Sequence, residues 1–294
     1  MNTMKSMIQK RYFLFLLVIG STLIFSSCKK DNNDKKEKTP VDEVAGYNKI
    51  QEFTQGDYTF FLYKKDTGNL KTGYDEVYIQ LKNNTTGKYV ENASLSWKPV
   101  MHMGDMSHGT PYSSITKVSG TSTLYKGYFV FVMASEGTDF WEITYYYTIG
   151  NDTIVNVSDK LTVEQSSLIK EVTFKGSDSS RYVLALIKPS SPVVGKNEIT
   201  AYLFKASTDF FTFTSVENYT IQIDPRMPDM NNHTSPNNVN LVYNSGIYSG
   251  SVNLTMTGYW KINLVVVDAN NTMIKGETVT EAHTASSLYV EIEF

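Results

Sequence analysis

The chain has 294 residues, a formal net charge of −3 and one cysteine. Residues 1–27 hold three of the 27 basic residues and none of the 30 acidic ones, so the remainder of the chain is clearly acidic. An acidic chain does not complement a phosphate backbone, so we expect no nucleic-acid partner. A single cysteine excludes an intrachain disulfide, and stability must therefore come from a hydrophobic core.

The first predicted element is a signal peptide over residues 1–27. Lys5, Lys10 and Arg11 precede an apolar run, which ends in small residues just before Cys28. This order is typical of a cleaved targeting sequence rather than a spanning helix. The four residues that end in Cys28 resemble the lipobox of bacterial lipoproteins, which implies that Cys28 is lipidated and becomes the first residue of the mature protein. Ordinary secretory cleavage, which leaves a free cysteine, is the alternative.

Residues 28–46 are predicted to form a disordered tether that follows the lipidated cysteine. The segment is rich in Lys, Asp, Asn and Glu and has no apolar spacing, so it cannot bury enough surface to fold. Its mixed charges resemble the export signals of Bacteroidetes lipoproteins. We therefore expect a protein of the cell envelope that is lipid-anchored to the outer membrane, at its periplasmic face or at the cell surface.

The rest of the chain consists of two similar copies, at residues 47–175 and 176–294. A repeat of this length predicts two units of the same fold. The segments that match between the copies are 73–77 with 195–199, 124–133 with 247–256, 141–143 with 260–262, and 166–174 with 286–294.

Each copy is predicted to be an immunoglobulin-like β-sandwich, so the fold class is all-β with two tandem domains. Short segments rich in Val, Ile, Thr, Tyr and Phe alternate with turn clusters, at about seven strands per copy. Trp141 and Trp260 begin strands and are predicted to fill the two cores, together with Met133 and Met256.

Each copy also carries one loop in which two methionines, an aspartate and a histidine follow in the same order. Five of the eight methionines after residue 27 and three of the four histidines lie in these loops. Clustering and repetition together favour a shared chemical role. The recurring residues are Met103, Asp105, Met106 and His108 in the first copy, and Met227, Asp229, Met230 and His233 in the second.

The residue types of these loops predict a copper site in each copy. A thioether is a soft, uncharged ligand and an imidazole a borderline one, so two sulfurs and a ring nitrogen favour Cu(I). The aspartates either bind the backbone of the turn or act as ligands, in which case Cu(II) or Zn(II) becomes more plausible. The predicted ligands are Met103, Met106 and His108, and Met227, Met230 and His233. Additional candidate ligands are Met101, His102, Asp105 and Asp229.

The second copy resembles the YtkA-like and FixH-like families over most of its length after residue 195. The resemblance rests on a Pro-Met-rich loop at 225–233, a Gly-x-Tyr-x-Gly segment at 246–250 and Met-x-Gly-x-Trp at 256–260. It implies an extracytoplasmic sandwich domain that handles copper or supports the assembly of respiratory oxidases. The first copy departs from the pattern, because Gly104 stands where the second copy has Pro228 and residues 134–140 intervene before the tryptophan.

Two functions follow as hypotheses. The first is a membrane-anchored copper-binding protein that sequesters the metal or delivers it to a copper-accepting protein. The second is a metal-free cell-surface protein that binds a protein or glycan partner, with methionine loops that only cap the domains. We do not expect an enzyme, because the sequence has no spaced Ser-His-Asp set, phosphate-binding loop or hydrolase motif.

Overall fold

The computed structural model of the protein describes residues 42–149, 152–158 and 160–294. Residues Glu43–Phe294 form one compact unit built from antiparallel sheets, so the prediction of an all-β chain is confirmed. Within these described ranges, no helix is long and apolar enough to span a bilayer. The predicted signal peptide, Cys28 and the predicted tether as far as residue 41 lie outside the described residues.

The strands of the first copy form two sheets. Their bounds are β1 (Asn48–Gln55), β2 (Tyr58–Lys64), β3 (Gly73–Asn83), β4 (Ser94–Met103), β5 (Met106–His108), β6 (Thr116–Lys117), β7 (Tyr125–Phe131), β8 (Phe140–Ile149) and β9 (Asp152–Val157). One sheet has the order β1-β2-β3-β7-β6 and the other the order β5-β4-β8-β9.

The remaining strands form a single larger sheet. Their bounds are β10 (Glu171–Lys175), β11 (Arg181–Lys188), β12 (Gly195–Ala206), β13 (Phe213–Ser215), β14 (Thr220–Met227), β15 (His233–Thr234), β16 (Val239–Asn244), β17 (Ile247–Leu254), β18 (Tyr259–Val267), β19 (Met273–Lys275) and β20 (Tyr289–Glu293). Its order is β10-β11-β12-β17-β16-β14-β18-β19, with β13 on β12, β15 on β14 and β20 on β18. Strand β10 is counted in the second copy although it ends at the predicted boundary.

The two copies share one strand order and one register. The series β10-β11-β12-β17-β16 repeats β1-β2-β3-β7-β6, and the series β15-β14-β18-β19 repeats β5-β4-β8-β9. Gly127 lies opposite Val77 in the first copy, and Gly250 lies opposite Ile199 in the second. The sequence repeat at these positions is therefore also a structural repeat.

The copies differ at one edge. In the second copy β16 pairs with β14 as well as with β17, and this pairing joins its two layers. In the first copy β6 pairs with β7, and among the described strands it has no ladder to β4. An open groove of about 600 Å³ lies there instead, lined by Leu95, Ile115 and Lys117 among others.

One predicted match between the copies does not hold in the strand pairing. Strand β10 lies within the first segment, 166–174, apart from its last residue, and it pairs with β11 as β1 pairs with β2. Strand β20 lies within the second segment, 286–294, and pairs with β18. Both are short strands with one buried face, so they share an alternating pattern without occupying the same place. The division of the compact unit into two domains at residue 175 stays a prediction.

Each copy has its own core, centred on a tryptophan. Trp141 and Trp260 are fully buried, as predicted. Met256 packs against the second core, but Met133 is 40% exposed, so its predicted core position is wrong. Met133 lies two residues beyond the end of β7 at Phe131, as Met256 lies two residues beyond the end of β17 at Leu254, so strand alternation does not fix the burial of either side chain.

A third apolar cluster joins the two copies. Val130 of β7 packs in it with Val183 of β11 and Phe204 of β12. The rings of Tyr128 and Tyr202 stack across this contact, with centroids 4.8 Å apart and an interplanar angle of 20°. The first copy therefore lies with one sheet face against the second.

The last residues of the predicted tether are held against the first copy. Residues 43–46 form a turn, in which the main-chain nitrogen of Tyr47 donates to the carbonyl of Val44 over 2.9 Å. The carboxylate of Glu43 accepts hydrogen bonds from the main-chain nitrogen and the hydroxyl of Thr123, over 2.9 and 2.7 Å. The folded part thus begins a few residues before the predicted boundary at residue 47.

Candidate metal centre

The first methionine loop is a tight hairpin rather than an open loop. Strand β4 turns into β5 through Gly104 and Asp105, and Met103 pairs directly with Met106. Gly104 adopts a φ of +56°, a left-handed conformation that glycine takes without steric cost. Asp105 lies exposed at the tip of this turn.

The register of the hairpin places four of the predicted residues on one face. Met101 lies opposite His108, and Met103 lies opposite Met106. Side chains two apart along a strand share a face, and directly opposed residues share it too. The face therefore carries three thioethers and one imidazole.

The four side chains of this face differ in burial. Met101 is fully buried in the first core, and Met103 is partly buried against it. Met106 is 68% exposed, and the imidazole of His108 is half-buried. Only the outer three can reach an ion from solvent, so the additional ligand role predicted for Met101 is not supported by its position.

One pocket of about 400 Å³ brings the outer three residues together. Met103, Met106 and His108, the three predicted ligands of the first copy, all line it. Met133, which follows β7, lines it as well. Thr173 of β10 lines the pocket too, and the second copy contributes Arg181, Thr208, Asp209 and Phe210.

The imidazole of His108 has one nitrogen committed to the backbone. Its Nδ1 lies 2.7 Å from the carbonyl oxygen of Gly109, so in the neutral ring Nδ1 carries the hydrogen and Nε2 carries the lone pair. A backbone carbonyl that fixes the tautomer in this way is a common feature of metal-binding histidines. The ring also meets Trp141 edge-on, with centroids 5.5 Å apart.

His102 lies on the other face of β4 and does not join the sulfurs. Its ring stacks on Phe140, with centroids 5.0 Å apart, and its Nε2 lies 3.5 Å from Oε1 of Glu142. The role of His102 as an additional ligand is therefore not supported by its position. The same holds for Asp105, because it lies at the turn and is not among the residues that line the pocket.

The second methionine loop has a different local structure. A 3-10 helix, Pro228–Met230, follows β14, and Asn231 ends it in a left-handed conformation. Met227 lies opposite His233 and is only 4% exposed, because it packs into the second core. Met230 is 54% exposed, and Asp229 is exposed in the first turn of the 3-10 helix.

His233 occupies the same strand position in the second copy as His108 in the first, but its surroundings differ. Its ring is tilted beside Trp260, with centroids 6.4 Å apart, and its Nε2 lies 3.3 Å from the hydroxyl of Thr255. Its cross-strand partner Met227 is buried, whereas Met230 and His233 are exposed. The second set is therefore divided between the core and the surface.

The strand pairing changes the alignment of the two loops. Pro99 lies opposite Ile143 and Pro225 lies opposite Ile262, so Met101, not Met103, is the structural counterpart of Met227. The sequence pattern had aligned Met103 with Met227, because both precede an aspartate and a methionine at the same spacing. The outer pair Met103 and Met106 therefore has no residue-by-residue counterpart in the second copy.

The charges around the first pocket nearly balance. Hydrogen bonds from the hydroxyl of Ser207 and the main chain of Phe211 lower the pKa of Asp209, so this carboxyl is ionised at neutral pH. The guanidinium of Arg181 lies 5.9 Å from the centre of the Phe210 ring and supplies one positive charge. Among the described residues, no group of three or more His, Cys, Asp and Glu side chains could hold a metal ion. Uncharged sulfur donors in a pocket with one positive and one negative side chain suit a monovalent soft cation better than a divalent one.

No prediction from the sequence included Met133, Arg181 or Phe210 in this pocket. Met133 carried the signal of a third methionine near the loop, but strand alternation assigned it to the core. Arg181 and Phe210 belong to the second copy, and no spacing within the loop indicates them. No protein-family model matches the chain, and no curated protein is detectably similar to it in sequence.

Proposed function

We propose that the protein is a lipid-anchored extracytoplasmic protein that binds copper, with Cu(I) favoured. The observation that carries the proposal is the single pocket shared by Met103, Met106 and His108. Two sulfurs and a neutral ring nitrogen form a donor set without formal charge, which suits Cu(I). We assign the protein a binding role rather than a catalytic one.

The proposal includes the finer architecture. We propose that each copy is an immunoglobulin-like sandwich of the YtkA-like and FixH-like kind, supported by the common strand order of the two copies. Because β10 pairs with β11 as β1 pairs with β2, we place the boundary between the copies ahead of Glu171. Lipidation of Cys28 would attach the protein to the outer membrane, where a copper-accepting protein, such as an oxidase under assembly, is the expected partner.

The competing hypothesis of a metal-free interaction protein keeps one supporting observation. Met101 and Met227 pack into the two cores, as loops that serve only as structural caps require. In that case the exposed Met106 and Met133, with the half-buried Phe210, would form an apolar contact surface for a protein partner.

A competitive titration separates the two functions. The full-length protein, purified in detergent, is titrated with Cu(I) against a chelator of known affinity, beside the Met103→Leu/Met106→Leu variant. We expect the wild-type protein to take copper from the chelator and the double variant to lose this ability. Met273→Leu is the matched control, because Met273 is 48% exposed and lies outside both loops. Equal binding by the wild type and the double variant, or no binding by either, contradicts the proposal.

A further inference from the structure

We infer that the chain binds one copper ion rather than two, in a site whose third sulfur comes from Met133 and whose wall comes from the second copy. The inference rests on the proposed copper-binding function and specifies its ligands and its stoichiometry. It differs from the expectation of one site per copy, and the two are distinguished by the copper stoichiometry.

Two hydrogen bonds fix the backbone around Met133 beside the hairpin. The indole Nε1 of Trp141 donates to the carbonyl oxygen of Met133 over 3.0 Å, and Trp141 itself is fully buried. Two residues further on, the main-chain nitrogen of Ser135 donates to the carbonyl of Val163 over 2.7 Å. The backbone around Met133 is therefore fixed while its thioether remains 40% exposed in the pocket.

The second copy fixes the other end of the hairpin. The main-chain nitrogen of Gly109 donates to the carbonyl of Phe210 over 2.9 Å, and the rings of His108 and Phe210 lie 5.7 Å apart. A Cβ atom on Gly109 would lie 3.2 Å from the carbonyl oxygen of Phe211, so the approach leaves little room for a side chain. Phe210 adopts a φ of +59°, which is uncommon for a bulky residue and marks a loop held in place by its contacts.

The resulting donor set consists of the sulfurs of Met103, Met106 and Met133 with Nε2 of His108. All four side chains line the same pocket, and none carries a formal charge when the imidazole is neutral. Three thioethers with one imidazole suit a soft ion of low charge. The sulfurs of Met103 and Met106 come from the hairpin, and that of Met133 comes from the segment that follows β7.

The second copy lacks the corresponding arrangement. Trp260 donates to the carbonyl of Met256 over 3.0 Å, which repeats the bond between Trp141 and Met133. The side chain of Met256, however, packs against the second core, and Met227 is buried in that core. Segment 208–210 of the second copy lines the pocket beside the first loop.

The inference is tested by stoichiometry and by the metal's own spectrum. The full-length protein in detergent is titrated with Cu(I) under a competing chelator, and X-ray absorption at the copper edge counts the sulfur ligands. We expect one equivalent of copper, with three sulfurs and one nitrogen. In Met133→Leu we expect two sulfurs and an affinity lower by about 10-fold or more, at least the loss that follows removal of an outer-shell partner.

Met256→Leu is the matched control, because it changes the counterpart of Met133 in the second copy. We expect it, and likewise Met230→Leu, to leave stoichiometry and sulfur count unchanged. Thermal unfolding of Met133→Leu checks that the fold is intact. Two equivalents of copper, or an unchanged affinity and sulfur count in Met133→Leu, overturn the inference and leave the proposed function standing. No copper uptake by the wild type overturns the proposed function itself.

Discussion

The indole nitrogen of Trp141 donates to the main-chain carbonyl of Met133, and this hydrogen bond connects the centre of the first core to the wall of the candidate metal pocket. Trp260 makes the same bond to Met256 in the second copy. The scaffold around the tryptophan is therefore common to both copies. The difference lies in the methionine side chain, which is exposed at residue 133 and packs against the core at residue 256.

Replacement of the first tryptophan should affect both stability and copper binding. Trp141→Phe removes the indole donor and leaves the carbonyl of Met133 without this partner, which costs about 1–3 kcal/mol of unfolding free energy, in addition to lost packing. We also expect weaker Cu(I) binding, because the backbone of Met133 is released. Trp260→Phe should lower stability in a similar way and leave copper binding unchanged. Denaturant unfolding and chelator competition measure the two effects, and equal copper affinities in both variants would argue against the connection.

The buried methionines should behave as core residues. Met101→Ala and Met227→Ala each create a cavity in a core, and we expect each to lower the unfolding free energy by about 2–5 kcal/mol. Met227→Ala should keep the wild-type copper stoichiometry, although the sequence pattern predicted Met227 as a ligand. Urea unfolding and Cu(I) titration of the same preparations measure both quantities. A loss of copper without a loss of stability would show that Met227 is a ligand after all.

Gly127 of β7 and its counterpart Gly250 of β17 lie too close to neighbouring atoms to carry a side chain. A Cβ on Gly127 would meet Trp97 at 2.5 Å, and one on Gly250 would collide with the main-chain carbonyl of Val239. Overpacking of this kind costs about 1–3 kcal/mol. We expect Gly250→Ala to cost more than Gly127→Ala, because a ladder carbonyl moves less readily than a ring. Gly68→Ala is the control, because an added Cβ there makes only an ordinary van der Waals contact, at 3.9 Å from the side chain of Lys71, and thermal unfolding ranks the three variants.

The stability of the protein should decrease as the pH rises above the acidic range. Burial raises the pKa of Glu171 from 4.5 to about 8. Its Oε2 is buried and has no hydrogen-bond partner among the described residues. Between these pH values the folded state keeps a proton that the unfolded state releases, so the free energy of unfolding falls as pH rises from about 4.5 to about 8.

The slope of this dependence cannot exceed about 1.4 kcal/mol per pH unit for one proton, and solvent access reduces it. Urea unfolding at pH 5, 6, 7 and 8 is the measurement, with the pH values chosen around the window of about 4.5 to 8. We expect Glu171→Gln to flatten the slope, while Glu293→Gln, at an exposed position, should leave it in place. A slope that persists unchanged in Glu171→Gln would assign the effect to other groups.

Much of the fold was predictable from local pattern, whereas the pocket was not. Alternating apolar residues and turn clusters identify strands such as β3 and β12, and the buried positions of Trp141 and Trp260 follow from the same alternation. The local order of residues 103–108 indicates a cluster of donors, because a hairpin brings nearby residues together. The contributions of Phe210 and Arg181 depend on the packing of one copy against the other, which no local pattern encodes.

The alignment of the loops shows a second limit. Equal spacing of Met, Asp and Met suggested that Met103 and Met227 were equivalent, but cross-strand register decides equivalence in a sheet. The pairing of Pro99 with Ile143 and of Pro225 with Ile262 shifts the match by two residues. A sequence motif can therefore recur without recurring at the same structural position.

The absence of a β4–β6 ladder among the described strands of the first copy has a dynamic consequence. In the second copy β14 and β16 are hydrogen-bonded, so a fluctuation that separates the two layers must break backbone hydrogen bonds. In the first copy the same separation only widens an existing groove. Local openings with fewer bonds to break occur at lower free energy. The amide protons of β4 and β6 should consequently exchange with solvent sooner than those of β14 and β16. The copy that carries the four-donor pocket is therefore the copy whose layers separate more readily.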